Sequence, residues 1–171
     1  MDVNVIDDFL PQKDFEEVRD LMVFNDTFPW YFQKEVNSMG TNCDKDFWNW
    51  YGTHTFYVND FPESKNYPIL YNKFIPCFKE MGIFRSLIRI KGNFYPHTET
   101  LKEHAPHIDY EYSHVGALYS LNTCDGFTKL YDGTKVDSVA NRILIFDAST
   151  IHNSTTTTTS AGRFNINFNF L

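Results

Sequence analysis

From Arg163 to Phe170 the chain alternates polar and apolar residues without interruption: Arg163, Asn165, Asn167 and Asn169 against Phe164, Ile166, Phe168 and Phe170. Successive side chains on a strand point to opposite sides of a sheet, so this run predicts a strand over 163–170. Its apolar side belongs in a core. Its polar side fits two arrangements, either water, as on a one-sided antiparallel sheet, or the wall of a polar cavity.

From residue 85 onward, short apolar-alternating runs separated by turn residues predict strands near 86–95, 105–110, 114–121, 127–131, 134–138, 142–146 and 151–157 before the last one. Asp125-Gly126 and Asp132-Gly133 read as turns, and Thr155 to Thr159 as a strand end running into a loop. Upstream the period changes. Phe15, Val18, Leu21 and Met22 share a helical face, which predicts a helix over 12–24 after a short strand at 3–6. A strand is expected at 54–58 and a second helix over 67–82, bent or interrupted at Pro76. Residues 25–53 hold all 3 Trp in a stretch rich in Asn and Asp, and read as either a core edge or a lid facing a substrate. Many short strands with helices mostly before them predict a mainly β fold, a double-sheet jelly roll with N-terminal helices packed on one sheet.

Composition supports this picture. With 171 residues the chain is expected to form a single domain, and 17 Phe and 10 Tyr supply large rings suited to β structure. A net charge of -7 argues against a large nucleic-acid surface. Cys43, Cys77 and Cys124 are far apart and lack zinc-like spacing, so they are expected to be reduced thiols of a cytoplasmic protein. No apolar run is long enough to span a membrane, and the acidic start MDVNVIDDFL lacks the features of a signal peptide.

The chemistry concentrates in two places. His107 and Asp109 lie two apart in APHIDYEYSH, so on a strand both project from one face, and His152 follows the apolar run RILIF. Two imidazoles and a carboxylate form the facial triad that suits Fe(II) and leaves other coordination positions open. Without a cysteine cluster, structural zinc is disfavoured. Beyond His152, Arg163 opens the alternating strand with no acidic residue beside it on that strand. A buried guanidinium there calls for a carboxylate or phosphate, and its fork fits a carboxylate, which a ligand can provide.

His107-x-Asp109, His152 and Arg163 within one terminal block of strands resemble the 2-oxoglutarate- and Fe(II)-dependent oxygenase superfamily, whose fold is the cupin-like double-stranded β-helix. The segments GALYSLN and DGFTKLYDG resemble its prolyl 4-hydroxylase group in the compact bacterial and viral forms. The resemblance implies one oxygenase domain over 1–171, with 85–171 as the β-helix core and 1–84 as a helical, loop-rich cover. It implies His107, Asp109 and His152 as metal ligands and catalytic residues, Arg163 as partner of the 2-oxoglutarate C5-carboxylate, and Tyr95 and Asn93 beside that cosubstrate. Where relatives carry a second cosubstrate tyrosine this chain has Ser120, with Tyr119 turned away by alternation. Collagen-type members have Lys where Arg163 stands. Among the other histidines, His104 is expected in a loop or behind the site, His97 and His114 exposed or at its rim, and His54 packed in a strand.

The implied reaction uses Fe(II), 2-oxoglutarate and dioxygen to hydroxylate an unactivated C–H bond of a peptidyl proline or other protein side chain, giving succinate and carbon dioxide. Two alternatives stay open: hydroxylation of a small metabolite or nucleobase, and a catalytically silent metal-binding barrel that serves as an interaction module. If the resemblance holds, the Arg/Asn face of the last strand lines the pocket and its Phe/Ile face packs under the helices.

Overall fold

The computed structural model describes residues 2–36 and 48–171. Along the chain run β1 (Asn4–Ile6), α1 (Gln12–Arg19), β2 (Tyr31–Gln33), β3 (Tyr51–Val58), β4 (Phe61–Pro62), α2 (Tyr67–Glu80), β5 (Leu87–Pro96), β6 (Val115–Ser120), β7 (Phe127–Leu130), β8 (Lys135–Asp137), β9 (Ile143–Asp147), β10 (His152–Asn153) and β11 (Gly162–Phe170). They form two antiparallel sheets, a large one ordered β1-β9-β6-β11-β5-β3-β2, with β4 added on β3, and a small one ordered β10-β7-β8. This is the expected jelly roll. β11 sits near the middle of the large sheet, paired with β5 from Gly162↔Pro96 to Phe170↔Leu87 and with β6 from Asn165↔Ser120 to Phe170↔Val115.

The outer face of the large sheet meets the helices. α1 buries Phe15 and Val18, and a π-helical turn over Asp20–Phe24 carries the stripe on to buried Met22. α2 buries Leu70, Phe74, Ile75 and Phe78. The ring of Phe168 lies 4.5 Å from that of Phe74, and Phe170 stacks on Phe78 at 4.8 Å. Gly92 of β5 leaves room for this cover, since a Cβ there would stand 2.6 Å from Met22 Cε. Of the two expected outcomes at Pro76, an interruption does not occur, since α2 runs through it. Pro76 and Asn72, four residues before it, are both exposed, so the carbonyl left without its helical donor lies on the solvent side.

A short polar graft holds the N-terminal segment to the sheet. Asn141, in the left-handed region with φ 64, accepts hydrogen bonds at Oδ1 from Leu10 N (3.0 Å) and Tyr119 Oη (2.6 Å) and donates from Nδ2 to Leu10 O (2.8 Å). Arg142 adds an ion pair with Asp7 at 2.6 Å. Together they anchor the chain just before α1. A second, smaller apolar cluster of Leu130, Leu144, Phe146 and Ala148 lies between the two sheets.

Two expected strands are largely absent. Residues 105–110 make a single antiparallel bridge, His107↔His152, and 151–157 contracts to β10 with isolated bridges at Thr155 and Thr157. Pro106 has no N–H to give to a ladder, which keeps the first segment irregular. The threonine run is organised by a carboxylate instead of a strand partner. Asp125 accepts from Thr157 Oγ1 (2.7 Å), Thr158 N (2.8 Å) and Oγ1 (2.5 Å), and Thr159 Oγ1 (3.1 Å). Cys77 and Cys124 are free thiols, while Cys43 lies outside the described residues, as does much of the Trp-rich segment. Of that segment, Trp30 packs against Phe94 and Phe164, and Trp50 meets the edge of Phe94, as a core edge would. Among the described residues no helix is long and apolar enough to cross a membrane.

The Asp125 clamp predicts an acid-sensitive contribution to stability. Burial would raise the Asp125 pKa, but the threonine hydroxyls and amides outweigh it and hold the carboxyl well below its usual 3.8. A depressed folded-state pKa contributes stability that is fully present above the unfolded value and fades as pH falls below it. Asp125→Ala should therefore lower unfolding stability by about 1–3 kcal/mol at neutral pH. Chemical denaturation at pH 7 and below pH 4 should show the gap between wild type and variant narrowing with acid. A pH-independent gap would assign the loss to packing.

Candidate active site

The cavity between the sheets is lined by the inward side chains of β5 and β11, by Leu118 of β6 and Thr128 of β7, and by the segment carrying His152. The inward face of β11 is the Arg/Asn face. Its register sets four polar cross-strand pairs with β5: Arg163↔Tyr95, Asn165↔Asn93, Asn167↔Lys91 and Asn169↔Arg89. The open question of the last strand is thereby answered, since both faces are buried.

His107, Asp109 and His152 converge at one end of the cavity, with their candidate ligand atoms all within 4.8 Å of one another. Backbone bonds bring the two irregular segments together: His107 N donates to His152 O and His152 N to His107 O, both at 2.9 Å, and Asp109 N donates to Ala148 O at 3.0 Å. His152 Nδ1 lies 2.9 Å from Thr150 O, which makes it the donor and leaves Nε2 as the lone pair for a metal. Burial, and then the neighbouring His152, push the His107 pKa down to about 4, so the imidazole is neutral, the form that ligates.

Asp109 is held from behind. Its Oδ2 accepts from Asn167 Nδ2 (2.9 Å) and Asn169 Nδ2 (2.8 Å), and its Oδ1 pairs with Arg89 Nη2 at 3.0 Å. Arg89 Nε in turn donates to Asn169 Oδ1 at 3.0 Å. Burial alone would raise the Asp109 pKa, but the charge of Arg89, His152 and the two amides outweigh it and keep the carboxyl ionised, well below the usual range. His114, expected exposed or at the rim, is buried behind this network, with Nε2 3.2 Å from Asn169 Nδ2.

Arg163 is 1% exposed. Its Nη1 donates to Phe127 O (2.8 Å) and its Nη2 to Thr128 Oγ1 (2.8 Å), while Nε has no partner among the described residues. Its guanidinium carbon sits 5.7 Å from the Tyr95 ring centre. Gly126 makes the space, because a Cβ there would stand 2.7 Å from Arg163 Cδ. The guanidinium does not itself line the metal cavity. It lines a smaller adjoining one with Ser120, and Leu118 and Thr128 belong to both.

Tyr95 and Asn93 line the metal cavity. Asn93 Nδ2 donates to Asn165 Oδ1 at 2.9 Å, whereas Asn93 Oδ1, Asn165 Nδ2 and Asn167 Oδ1 are buried without a hydrogen-bond partner among the described residues. Such orphaned donors and acceptors fit a polar occupant, and two imidazoles, that of His107 neutral, with an ionised carboxylate fit a divalent metal. Tyr119 does turn away, burying its ring against Phe74. His104 is buried beside the site, with its ring 5.0 Å from Tyr95 and its pKa pushed down to about 3, mainly by burial. His54 packs within β3 and His97 is exposed, as expected.

Three site residues escaped the sequence reading: Arg89, Lys91 and Tyr51. A signal existed for the first two, since stepping back by twos from Tyr95 and Asn93 along one strand reaches them. Tyr51 stacks on Tyr95 at 5.9 Å, and Lys91 Nζ lies 5.7 Å from the Tyr51 ring centre.

The fold is that of the 2-oxoglutarate- and Fe(II)-dependent oxygenases, prolyl hydroxylases among them. A prolyl hydroxylase of Trichoplax adhaerens, solved with a peptide fragment of the hypoxia-inducible factor oxygen degradation domain, superposes with a TM-score of 0.69 at 15% identity, covering 98% of this chain and 83% of that one. The viral collagen prolyl hydroxylase of Paramecium bursaria Chlorella virus-1 matches with a TM-score of 0.62 at 11% identity, covering 99% and 96%. The non-heme α-ketoglutarate-dependent epimerase of nogalamycin biosynthesis matches with a TM-score of 0.66 at 13% identity, covering 99% and 77%. No protein-family model matches the chain, and no curated protein matches its sequence.

The hydrogen bonds behind Asp109 yield a prediction. Asn169→Ala removes one donor to Asp109 and one acceptor for Arg89, and should weaken divalent-metal binding about 10- to 100-fold. Competition between the protein and a chromophoric chelator for Mn(II) reads this directly. Unchanged affinity would show that Asn167 and Arg89 suffice.

Proposed function

We propose that the chain is an Fe(II)- and 2-oxoglutarate-dependent dioxygenase that hydroxylates an unactivated C–H bond of a peptidyl proline or another protein side chain. The observation that carries this reading is the convergence of His107, Asp109 and His152 within 4.8 Å, at one end of a jelly-roll cavity whose wall continues to a buried arginine. In this reading residues 1–171 form one catalytic domain, in which 85–171 carry the site and 1–84 provide the cover.

His107, Asp109 and His152 would hold the metal on one side and leave its other positions open. Iron with 2-oxoglutarate and dioxygen would supply the oxidation, with succinate and carbon dioxide as co-products. The chain's own work is positional. Arg89, Asn167 and Asn169 fix the Asp109 carboxylate, and the Thr150 carbonyl fixes the His152 ring. Arg163 would take the far carboxylate of the cosubstrate by exchanging its bond to Thr128 Oγ1, the side chain that separates it from the cavity. Tyr95 and Asn93 would flank that path. A peptide substrate is supported by likeness of fold to the Trichoplax enzyme solved with its peptide. Likeness to the nogalamycin epimerase supports a second reading, a small-molecule substrate.

Aerobic turnover tests the reading. The protein with Fe(II) should convert 2-oxoglutarate to succinate, and proline-containing peptides should raise the rate and gain the mass of one oxygen atom. His107→Ala or Asp109→Ala should abolish turnover while retaining the fold by circular dichroism, and wild-type rates in either would refute the triad. Arg163→Ala should cost about 3–5 kcal/mol of cosubstrate binding, the scale for a buried carboxylate stripped of its partner. Unchanged affinity would show that Arg163 serves packing alone.

A further inference from the structure

Lys91 has no role in the triad or in the expected cosubstrate set, yet its place is unusual. It lies on the inward face of β5, opposite Asn167, whose amide holds Asp109. Among the described residues that line the metal cavity, it is the one lysine or arginine and Asp109 the one carboxylate. Asp109 is already engaged by Arg89, Asn167 and Asn169. Lys91 forms no salt bridge among the described residues, and its nearest described aromatic contact is the Tyr51 ring at 5.7 Å.

Lys91 is half-buried, and an ammonium drawn out of water is costly unless an anion meets it. The charge count points the same way. Arg89 and Lys91 both stand beside Asp109, the one carboxylate among the described residues lining the metal cavity, and a metal there would add further positive charge. Among the described residues that line the metal cavity there is no second carboxylate. Lys91 Nζ has three donors and can meet an oxygen anion from several directions, which suits a ligand that arrives in the cavity.

We propose that Lys91 is a second carboxylate anchor of this pocket, distinct from Arg163 and placed at the metal end. It would take a carboxylate either of the cosubstrate or of an acidic substrate. The proposal rests on the dioxygenase reading above. Arg163 lies beyond Thr128 in the adjoining cavity, so one ligand carboxylate held there leaves Lys91 free for another.

The experiment compares wild type with Lys91→Met and Lys91→Arg, each loaded with Zn(II) so that binding is read without turnover. Calorimetric titration with 2-oxoglutarate is the first arm. The second arm, with Fe(II), measures succinate formed in the presence of N-acetyl amino acids and their matching amides. If the cosubstrate is the source, Lys91→Met weakens 2-oxoglutarate binding about 10- to 100-fold and Lys91→Arg restores most of it. If the substrate is the source, 2-oxoglutarate binding is unchanged, but the wild-type preference for free acid over amide disappears in Lys91→Met and returns in Lys91→Arg. Unchanged 2-oxoglutarate affinity together with no acid-over-amide preference to lose overturns the assignment. Should Lys91→Met fail to fold by thermal melting, Lys91→Gln keeps a polar side chain of similar reach and takes its place in both arms. A wild-type protein that binds zinc but not 2-oxoglutarate overturns the dioxygenase reading, and the Lys91 assignment falls with it.

Discussion

The structure depends on one strand that is buried on both sides. Along β11 the apolar face contributes Ile166, Phe168 and Phe170 to the core under α1 and α2, and the polar face places Arg163, Asn165, Asn167 and Asn169 between the sheets, each at most 8% exposed. Burying a polar group without a partner costs on the order of 1–3 kcal/mol, so four such residues in succession are tolerable only where the cavity gives them work. Neighbours satisfy part of that demand. Asn167 and Asn169 donate to Asp109, Asn165 accepts from Asn93, and Arg163 donates to Phe127 O and Thr128. The rest of the demand points into the pocket, where a metal and polar ligands can meet it.

The metal group shows how little regular structure such a site needs. His107 and Asp109 come from a segment with one bridge to the rest of the fold, and His152 from a strand of two residues. Neither segment would hold its position alone. Their mutual backbone bonds, and the amides and guanidinium that reach Asp109 from β11 and β5, transfer the rigidity of the large sheet to them. The ligands sit on loops, and the parts that aim them sit on long paired strands. This separation lets the cavity mouth vary in sequence without disturbing the triad.

Much of this was legible in the chain because alternation is a backbone property. The strands at 86–95, 114–121, 127–131, 142–146 and 163–170 appear within a residue or two of their expected bounds, and the pairing of His107, Asp109 and His152 follows from residue type and spacing. What was not legible depends on tertiary partners. Residues 105–110 look like a strand, but Pro106 and the tie to His152 leave them irregular. Pro76 looks like a break, but its exposed side of α2 lets the helix continue. The burial of His114 and the pairing of Arg89 with Asp109 depend on a fold that brings β5, β6 and β11 side by side; alternation along β5 puts Arg89 on the inward face but does not give its partner. The Asp125 clamp on three threonines has the same origin, since its partners are about 30 residues away along the chain.

Register is the point at which core and site become a single constraint. Side chains on a strand change face with every residue, so a slip of β11 by one against β5 would send Phe168 and Phe170 toward the metal and drive Arg163 into the helices. Both errors are costly, which makes the register doubly specified. The same pairing sets Asn167 beside Lys91 and Asn169 beside Arg89, so the geometry of Asp109 inherits its precision from the packing of Phe168 between Phe74 and Phe78. Gly126 extends the coupling to the small sheet, because the room it leaves for Arg163 Cδ is on the strand-entry turn of β7, whose Thr128 separates the guanidinium from the metal cavity. A change in the apolar cover would therefore be felt in the pocket as a shift of donors toward or away from Asp109.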